Sequence, residues 1–60
     1  NAYKVGDKAY FITSEQYESE PRKWTIRVAD LTTGSIDTVG KFQEFSTSRE
    51  AKKELKRILA

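Results

Sequence analysis

The pattern of apolar and polar residues in the first two thirds of the chain predicts three β-strands. It is clearest in residues 24–29, where every second residue from Trp24 onward is apolar, a period typical of a strand with one buried face. Residues 8–13 are aromatic and β-branched, which favours an earlier strand, and residues 35–39 favour a third. We therefore expect an antiparallel sheet whose core-facing set includes Trp24, Ile26 and Val28.

Glycine and aspartate mark the connections between these strands. Gly6 and Asp7 form a turn signal before the first strand. Residues 30–34 open with aspartate and close with Gly34, which predicts a hairpin made of a type I turn and a bulge. Gly40 interrupts the third strand, and we expect a bulge or bend there that lets apolar residues of both parities reach the core.

The segment at residues 14–22 has no periodicity and holds three glutamates and the only proline. This composition predicts a solvated acidic loop, and part of it could extend the flanking strands as a long hairpin. Residues 3–5 leave open a short extra strand at the N-terminus.

The last part of the chain predicts an amphipathic helix. Thr47 and Glu50 fit a capping box, with Thr47 as the N-cap and Glu50 at the third helical position. Apolar residues then follow at spacings of four, seven and eight, which places them in one stripe: Ala51, Leu55, Ile58 and Leu59. Basic residues occupy the opposite side, so we expect the stripe to pack on the sheet and the basic ridge to face water.

These elements predict an α+β fold, in which a small antiparallel sheet of three main strands is packed by one C-terminal helix. The 60 residues allow a single domain, 1–60, because so short a chain buries only ~60% of the surface of its unfolded form. A core this thin needs its large apolar groups, so we expect these aromatic residues to be buried: Phe11, Trp24, Phe42 and Phe45.

Composition excludes several kinds of chemistry. The chain has no cysteine and no histidine, so it lacks disulfides, thiolate metal sites and the usual general base. Its glycines stand alone and its acids are scattered, so we expect no enzymatic activity, no metal and no cofactor. The longest apolar run, residues 9–12, is far shorter than the ~20 residues of a membrane helix. We expect a soluble protein of the reducing cytoplasm, without a membrane partner.

The chain begins Asn1-Ala2 and contains no methionine. We interpret it as a trimmed chain or an excised domain, in which residues 1–2 are a candidate cloning remnant without a structural role.

Charge is distributed unevenly. Residues 1–48 carry six basic and seven acidic groups, whereas residues 49–60 carry five basic groups and two acidic ones. Basic residues near a helix C-terminus complement the helix dipole and keep an exposed face soluble, which explains most of this excess without any ligand.

The outward-facing residues of the second strand are the candidate binding site. Arginine and threonine on a sheet face can enter a major groove and meet base edges, so Thr25 and Arg27 are candidate base contacts. Four basic residues are candidate phosphate contacts: Lys23, Lys41, Arg49 and Lys53. Three acidic residues near the same region would weaken phosphate binding: Asp30, Asp37 and Glu44.

Four sequence segments form one pattern: residues 23–28, 33–34, 40–42 and 45–52 give a tryptophan that opens a strand, a glycine turn, a phenylalanine and a threonine-capped helix with Glu-Ala. Together they resemble the small arm-type DNA-binding domain of phage and transposon tyrosine recombinases, whose architecture the plant ethylene-response type of domain shares. The resemblance implies a three-stranded sheet backed by a helix, with the outer sheet face in the major groove of double-stranded DNA.

A second resemblance implies a different function. Residues 5–11 resemble the opening of small β-barrels of the Src-homology type, which commonly bind peptides or act as structural modules. Small sheets also have exposed edges that pair readily. The alternative to DNA binding is therefore a protein-interaction or accessory module of a phage or mobile element, with a protein partner or a homodimer.

Overall fold

The structure is a computed structural model, and it describes residues 2–60. These residues form four antiparallel strands and one helix. The elements are β1 (Tyr3–Val5), β2 (Lys8–Glu15), β3 (Lys23–Asp30), β4 (Ile36–Val39) and α1 (Ser48–Leu59). The strands lie in the order β1-β2-β3-β4. The predicted α+β fold with a C-terminal helix is confirmed, with four strands rather than three. The interpretation of Asn1 as a cloning remnant lies outside the described residues.

The strand beyond the three predicted ones is β1, at the N-terminus, where the sequence pattern leaves an extra strand open. Val5 pairs with Lys8, so Gly6 and Asp7 alone form the turn between β1 and β2. A strand of three residues is too short to show alternation of apolar and polar residues. The Gly6-Asp7 turn signal is therefore the only sequence feature that indicates β1.

β2 and β3 form a long hairpin that is the centre of the sheet. Their pairing runs without interruption from Lys8 opposite Asp30 to Glu15 opposite Lys23. β2 therefore extends two residues into the segment 14–22 that was predicted as a loop, in part as the long-hairpin alternative expected, and residues 16–22 remain as the connection.

The register divides the sheet into two faces, because directly paired residues of antiparallel strands lie on the same face. The helix-covered face carries Tyr3, Val5, Lys8, Tyr10, Ile12, Ser14, Trp24, Ile26, Val28, Asp30, Asp37 and Val39. The outer face carries Lys4, Ala9, Phe11, Thr13, Glu15, Lys23, Thr25, Arg27, Ala29, Ile36 and Thr38.

Helix α1 packs across β2 and β3 with the predicted apolar stripe. Ala51 and Leu55 are buried, and Ile26 beneath them is only 1% exposed. The remaining stripe residues, Ile58 and Leu59, are half-buried. These contacts make one small core between the helix and one face of the sheet.

The predicted N-cap begins this helix, with one of the two hydrogen bonds that define a capping box. The Thr47 hydroxyl accepts a hydrogen bond from the backbone N–H of Glu50 at 3.1 Å, which satisfies one of the free donors of the first turn. The same hydroxyl donates to the Glu50 carboxylate at 3.0 Å. The helix therefore starts at Ser48, as its sequence predicts.

The turn between β3 and β4 is organised by one carboxylate. Asp30 Oδ1 accepts from the backbone N–H of Thr32 at 2.9 Å, and Oδ2 accepts from Lys8 Nζ at 3.0 Å. Gly34, with a φ of 80°, donates its N–H to the Asp30 carbonyl at 2.7 Å, so the glycine is needed at the predicted position. Hydrogen bonds from Thr32 and Lys8 hold the pKa of Asp30 well below its ordinary value.

The expectation that all four aromatic residues are core residues is wrong for Phe42, which is 51% exposed. Trp24 and Phe45 pair with each other and are half-buried on the helix-covered face. Phe11 is half-buried on the outer face. The single helix covers only one face, so aromatic residues of the other parity stay partly exposed.

Replacing Leu55 by alanine tests the packing of the helix. Because Leu55 is 2% exposed, we expect the free energy of unfolding to fall by about 2–5 kcal/mol, a large part of the stability of so small a domain. Urea denaturation followed by circular dichroism measures the loss, with Lys53→Ala on the exposed side as the control. Equal stability of the two variants would contradict this packing.

Acid denaturation tests the role of Asp30. A carboxyl whose native pKa is lowered stabilises the fold above its ordinary pKa of 3.8, and this contribution is lost as the pH falls towards the native value. We therefore expect the thermal midpoint of the native chain to drop between about pH 5 and about pH 2 more steeply than that of Asp30→Asn. Asp37→Asn, at a carboxylate without a hydrogen bond within residues 2–60, is the control for the removal of one negative charge.

Candidate functional site

The six residues predicted to contact nucleic acid are divided between opposite sides of the molecule. Lys23 and Arg27 lie on the outer face of the sheet, and the exposed Lys41 follows β4. Arg49 and Lys53 are exposed on the helix, which covers the other face. These helix cations therefore belong to a different surface from Arg27.

Thr25 is on the predicted face, but the expectation that it is exposed is wrong. Its relative exposure is 0%. Ile26 pairs with Val39 and Trp24 pairs with Phe45, so the five residues 40–44 stand where one residue would pair with Thr25. The extra residues cover Thr25, which removes it from the candidate contacts.

Hydrogen bonds hold this covering loop, residues 40–44, against the outer face. The backbone N–H of Gln43 donates a hydrogen bond to Thr25 Oγ1 at 2.8 Å. The Thr25 hydroxyl in turn donates to Glu15 Oε1 at 3.5 Å. No polar side-chain atom is left buried without a partner within residues 2–60. The loop is thus attached to the sheet through a threonine that the sequence pattern assigns to solvent.

Gly40 starts the covering loop, where the sequence predicts a bulge or bend. Its φ is 81°, and a Cβ added there would lie 2.7 Å from Glu44 Oε1. Glu44 occupies this space because its carboxylate accepts the backbone N–H of Lys41 at 3.2 Å. The predicted irregularity is confirmed, and it is larger than a single-residue bulge.

Arg27 lies at the centre of the open part of the outer face. Phe11 and Thr38 are its cross-strand neighbours on β2 and β4. Its Nε–H donates to the backbone carbonyl of Asp37 at 3.4 Å, which directs the guanidinium towards β4. Both Nη groups are free of hydrogen bonds within residues 2–60, so they remain available to a ligand.

The acidic residues that were expected to repel phosphate lie mostly elsewhere. Asp30 and Asp37 are on the helix-covered face, since they pair with Lys8 and Val28. Glu44 is engaged by the backbone of the covering loop. In the sheet, the outer face carries only one carboxylate within the described strands, Glu15, opposite Lys23 at the end of the hairpin.

Three outer-face residues were missed as site candidates. Lys4, on β1, pairs with Ala9 of β2. Interpretation of Gly6-Asp7 as the loop of a two-residue hairpin would have placed Lys4 on the outer face. Ile36 is 52% exposed at the β4 edge, beside the small Ala29. Phe11 was assigned to the core because the sequence does not reveal which face the helix covers.

The helix cations border an apolar groove of about 790 Å³ between α1 and β1. Tyr3, Leu55 and Leu59 supply apolar lining, and the basic lining residues are Arg49, Lys52, Lys53 and Lys56.

Residues 2–60 contain no cluster of three or more side chains suited to a metal ion. None of the described residues forms a helix long and apolar enough to cross a membrane.

Comparison with known proteins identifies a family but no characterised relative. Residues 2–56 match a sequence family whose description is "Family of unknown function (DUF7447)". Comparisons with curated proteins and with solved structures gave no match.

Replacing Thr25 by valine tests the attachment of the covering loop. The variant leaves the Gln43 N–H without its acceptor, so we expect a loss of about 1–3 kcal/mol in the free energy of unfolding. Thr38→Val is the matched control, because its hydroxyl forms no hydrogen bond within residues 2–60. Native stability of Thr25→Val in chemical denaturation would show that the bond is dispensable.

Proposed function

The chain belongs to the DUF7447 family, and we propose that it is a non-enzymatic domain that binds double-stranded DNA through the outer face of its sheet. The observation that carries this proposal is that the strand register places Arg27 and the two aspartates next to the turn on opposite faces of the sheet. Arg27 is central on the outer face, whereas Asp30 and Asp37 lie on the other face. No cofactor takes part.

The sheet is wider than a major groove, so only its two central strands would enter one. β1 and β4 are separated by three strand spacings, about 14 Å, and a major groove, about 12 Å wide, admits a two-stranded ribbon. Lys4 lies on β1, and Lys41 follows β4 on the opposite edge. Cations at both edges would meet the phosphates that border the groove, while the centre of the face reaches the bases.

Each side chain has a defined chemical role in this complex. The free Nη groups of Arg27 can donate to O6 and N7 of a guanine, and Phe11 beside them offers an apolar contact to a thymine methyl. Thr38 takes the place of the buried Thr25 as the outer-face hydroxyl. Lys4, Lys23 and Lys41 contact phosphates. The sequence resemblance to arm-type DNA-binding domains supports the same mode.

The small number of cations sets the expected affinity. About three phosphate contacts give a slope of about −3 in log K against log salt, and non-specific dissociation constants of about 10⁻⁴–10⁻⁶ M are typical at physiological salt. Binding should therefore be modest and easily reversed by salt.

Arg27→Ala and Arg49→Ala form a matched pair of variants, because both remove one arginine and only one of the two is on the outer face. We expect Arg27→Ala to weaken binding to a short duplex about tenfold, equivalent to ~1.4 kcal/mol. Arg49→Ala should bind as the native chain does. Fluorescence anisotropy of a labelled duplex at low salt measures both. Equal weakening by the two variants would place the contact on the helix and contradict the proposal.

A protein-interaction function is the second candidate, and the exposure of apolar residues on this side favours it. Ile36 and Phe42 are 52% and 51% exposed. Exposed large apolar side chains can serve as contacts in a protein interface. Ile36→Lys separates the two functions, because it adds a cation beside Arg27 and removes apolar area. Stronger DNA binding by this variant than by the native chain supports the DNA-binding function. If neither protein binds DNA detectably, the result favours the protein-interaction function.

A further inference from the structure

The apolar groove between α1 and β1 has an unusual charge distribution. Four cations line it, Arg49, Lys52, Lys53 and Lys56, and no carboxylate side chain does so within residues 2–60. None of the four forms an ion pair in the described part of the chain. Arg57, by contrast, pairs with Glu54 outside the groove. The groove thus combines an apolar lining with uncompensated positive charge.

The loop at residues 16–22 has the opposite character. Tyr17 is 54% exposed, and Glu18 and Glu20 are exposed without an ion pair within residues 2–60. The loop has a defined shape, because the Glu20 N–H donates to the Tyr17 carbonyl at 2.9 Å and Gln16 Nε2 donates to the Glu20 carbonyl at 3.4 Å. It therefore presents one aromatic ring, two carboxylates and one cation, Arg22, whose guanidinium donates to Ser14 Oγ and Gln16 Oε1.

We propose that the acidic loop of a second copy of this chain docks in the groove. Tyr17 would lie against Tyr3 and Leu59, and Glu18 and Glu20 would meet the cations at the rim. Tyrosine is a frequent anchor in protein interfaces, because it combines a large apolar ring with a hydroxyl and has few rotamers. Complementary charges also favour this arrangement of two copies over one in which like-charged surfaces meet.

The groove is not filled by its own chain's loop. No residue of 16–22 lines it. The loop lies at the end of the β2–β3 hairpin, whose continuous pairing fixes its position. Since each copy carries both a loop and a groove, two copies related by a twofold axis would occupy both grooves, which closes the assembly as a dimer.

This self-association does not depend on DNA binding. The groove is on the helix side of the sheet, and the proposed DNA contacts are on the outer face. Arg49 and Lys53, which the sequence assigned to phosphate contacts, receive a role in the groove instead.

Sedimentation equilibrium tests the proposal directly. We expect the mass of the native chain to rise from monomer towards dimer, with a dissociation constant below about 1 mM that increases with salt because the exposed charges are screened. Tyr17→Ala should raise the dissociation constant about tenfold or more, and Tyr17→Phe should raise it less. A monomer at all concentrations would overturn the proposal.

Exchange of the charges provides a specific test of the docking site. One variant carries Glu18→Lys and Glu20→Lys, and the other carries Lys52→Glu and Lys56→Glu. Each alone should be monomeric, and their equimolar mixture should form a heterodimer, because one contact is then native and in the other the introduced lysines meet the introduced carboxylates. Lys41→Glu, a single Lys→Glu change outside the groove, should leave the native association unchanged.

Two results of the exchange experiment would contradict docking in the groove. Dimers of either charge variant alone would mean that association uses another surface, such as the β4 edge. A mixture that stays monomeric while the native chain dimerises would mean that these charges do not meet. Circular dichroism of each variant checks that the fold is retained.

Discussion

A chain of 60 residues with one helix can cover only one face of its sheet, and the rest of the structure follows from this constraint. The helix buries Ile26 beneath Ala51 and Leu55. Burial of apolar area is the main favourable term in folding, so the stability of the domain is concentrated in this contact. The opposite face is left to be covered by a loop or to remain open, and the structure does both.

The covering loop determines how much of the outer face is accessible. Residues 40–44 hide Thr25 and separate Lys23, near the end of the hairpin, from the part of the face around Arg27. The open part consists of Arg27 with aromatic, small and β-branched neighbours, namely Phe11, Ala9, Ala29, Ile36 and Thr38. A flat surface with one central arginine suits an extended partner better than a small substrate, which requires a concave pocket.

Much of the fold could be predicted because its signals are local. The helix and its Thr47 cap, the strand from Trp24 and the glycine at position 34 each follow from a short pattern. The site was harder to predict, because it depends on contacts between distant segments. The burial of Thr25 results from a bond to Gln43, 18 residues away, and no periodicity encodes it. Similarly, the separation of Arg49 from Arg27 depends on which face the helix covers, and local pattern does not specify that.

The division of charge between the two faces is the basis of the proposed function, and chemical-shift mapping tests it most directly. Amide spectra of the labelled chain would be recorded at low salt during titration with a short DNA duplex. We expect the largest shifts in β3, with smaller ones in β1, β4 and the covering loop, and little change along α1. An absence of shifts in residues 23–29, or shifts confined to the helix, would contradict recognition by the outer face.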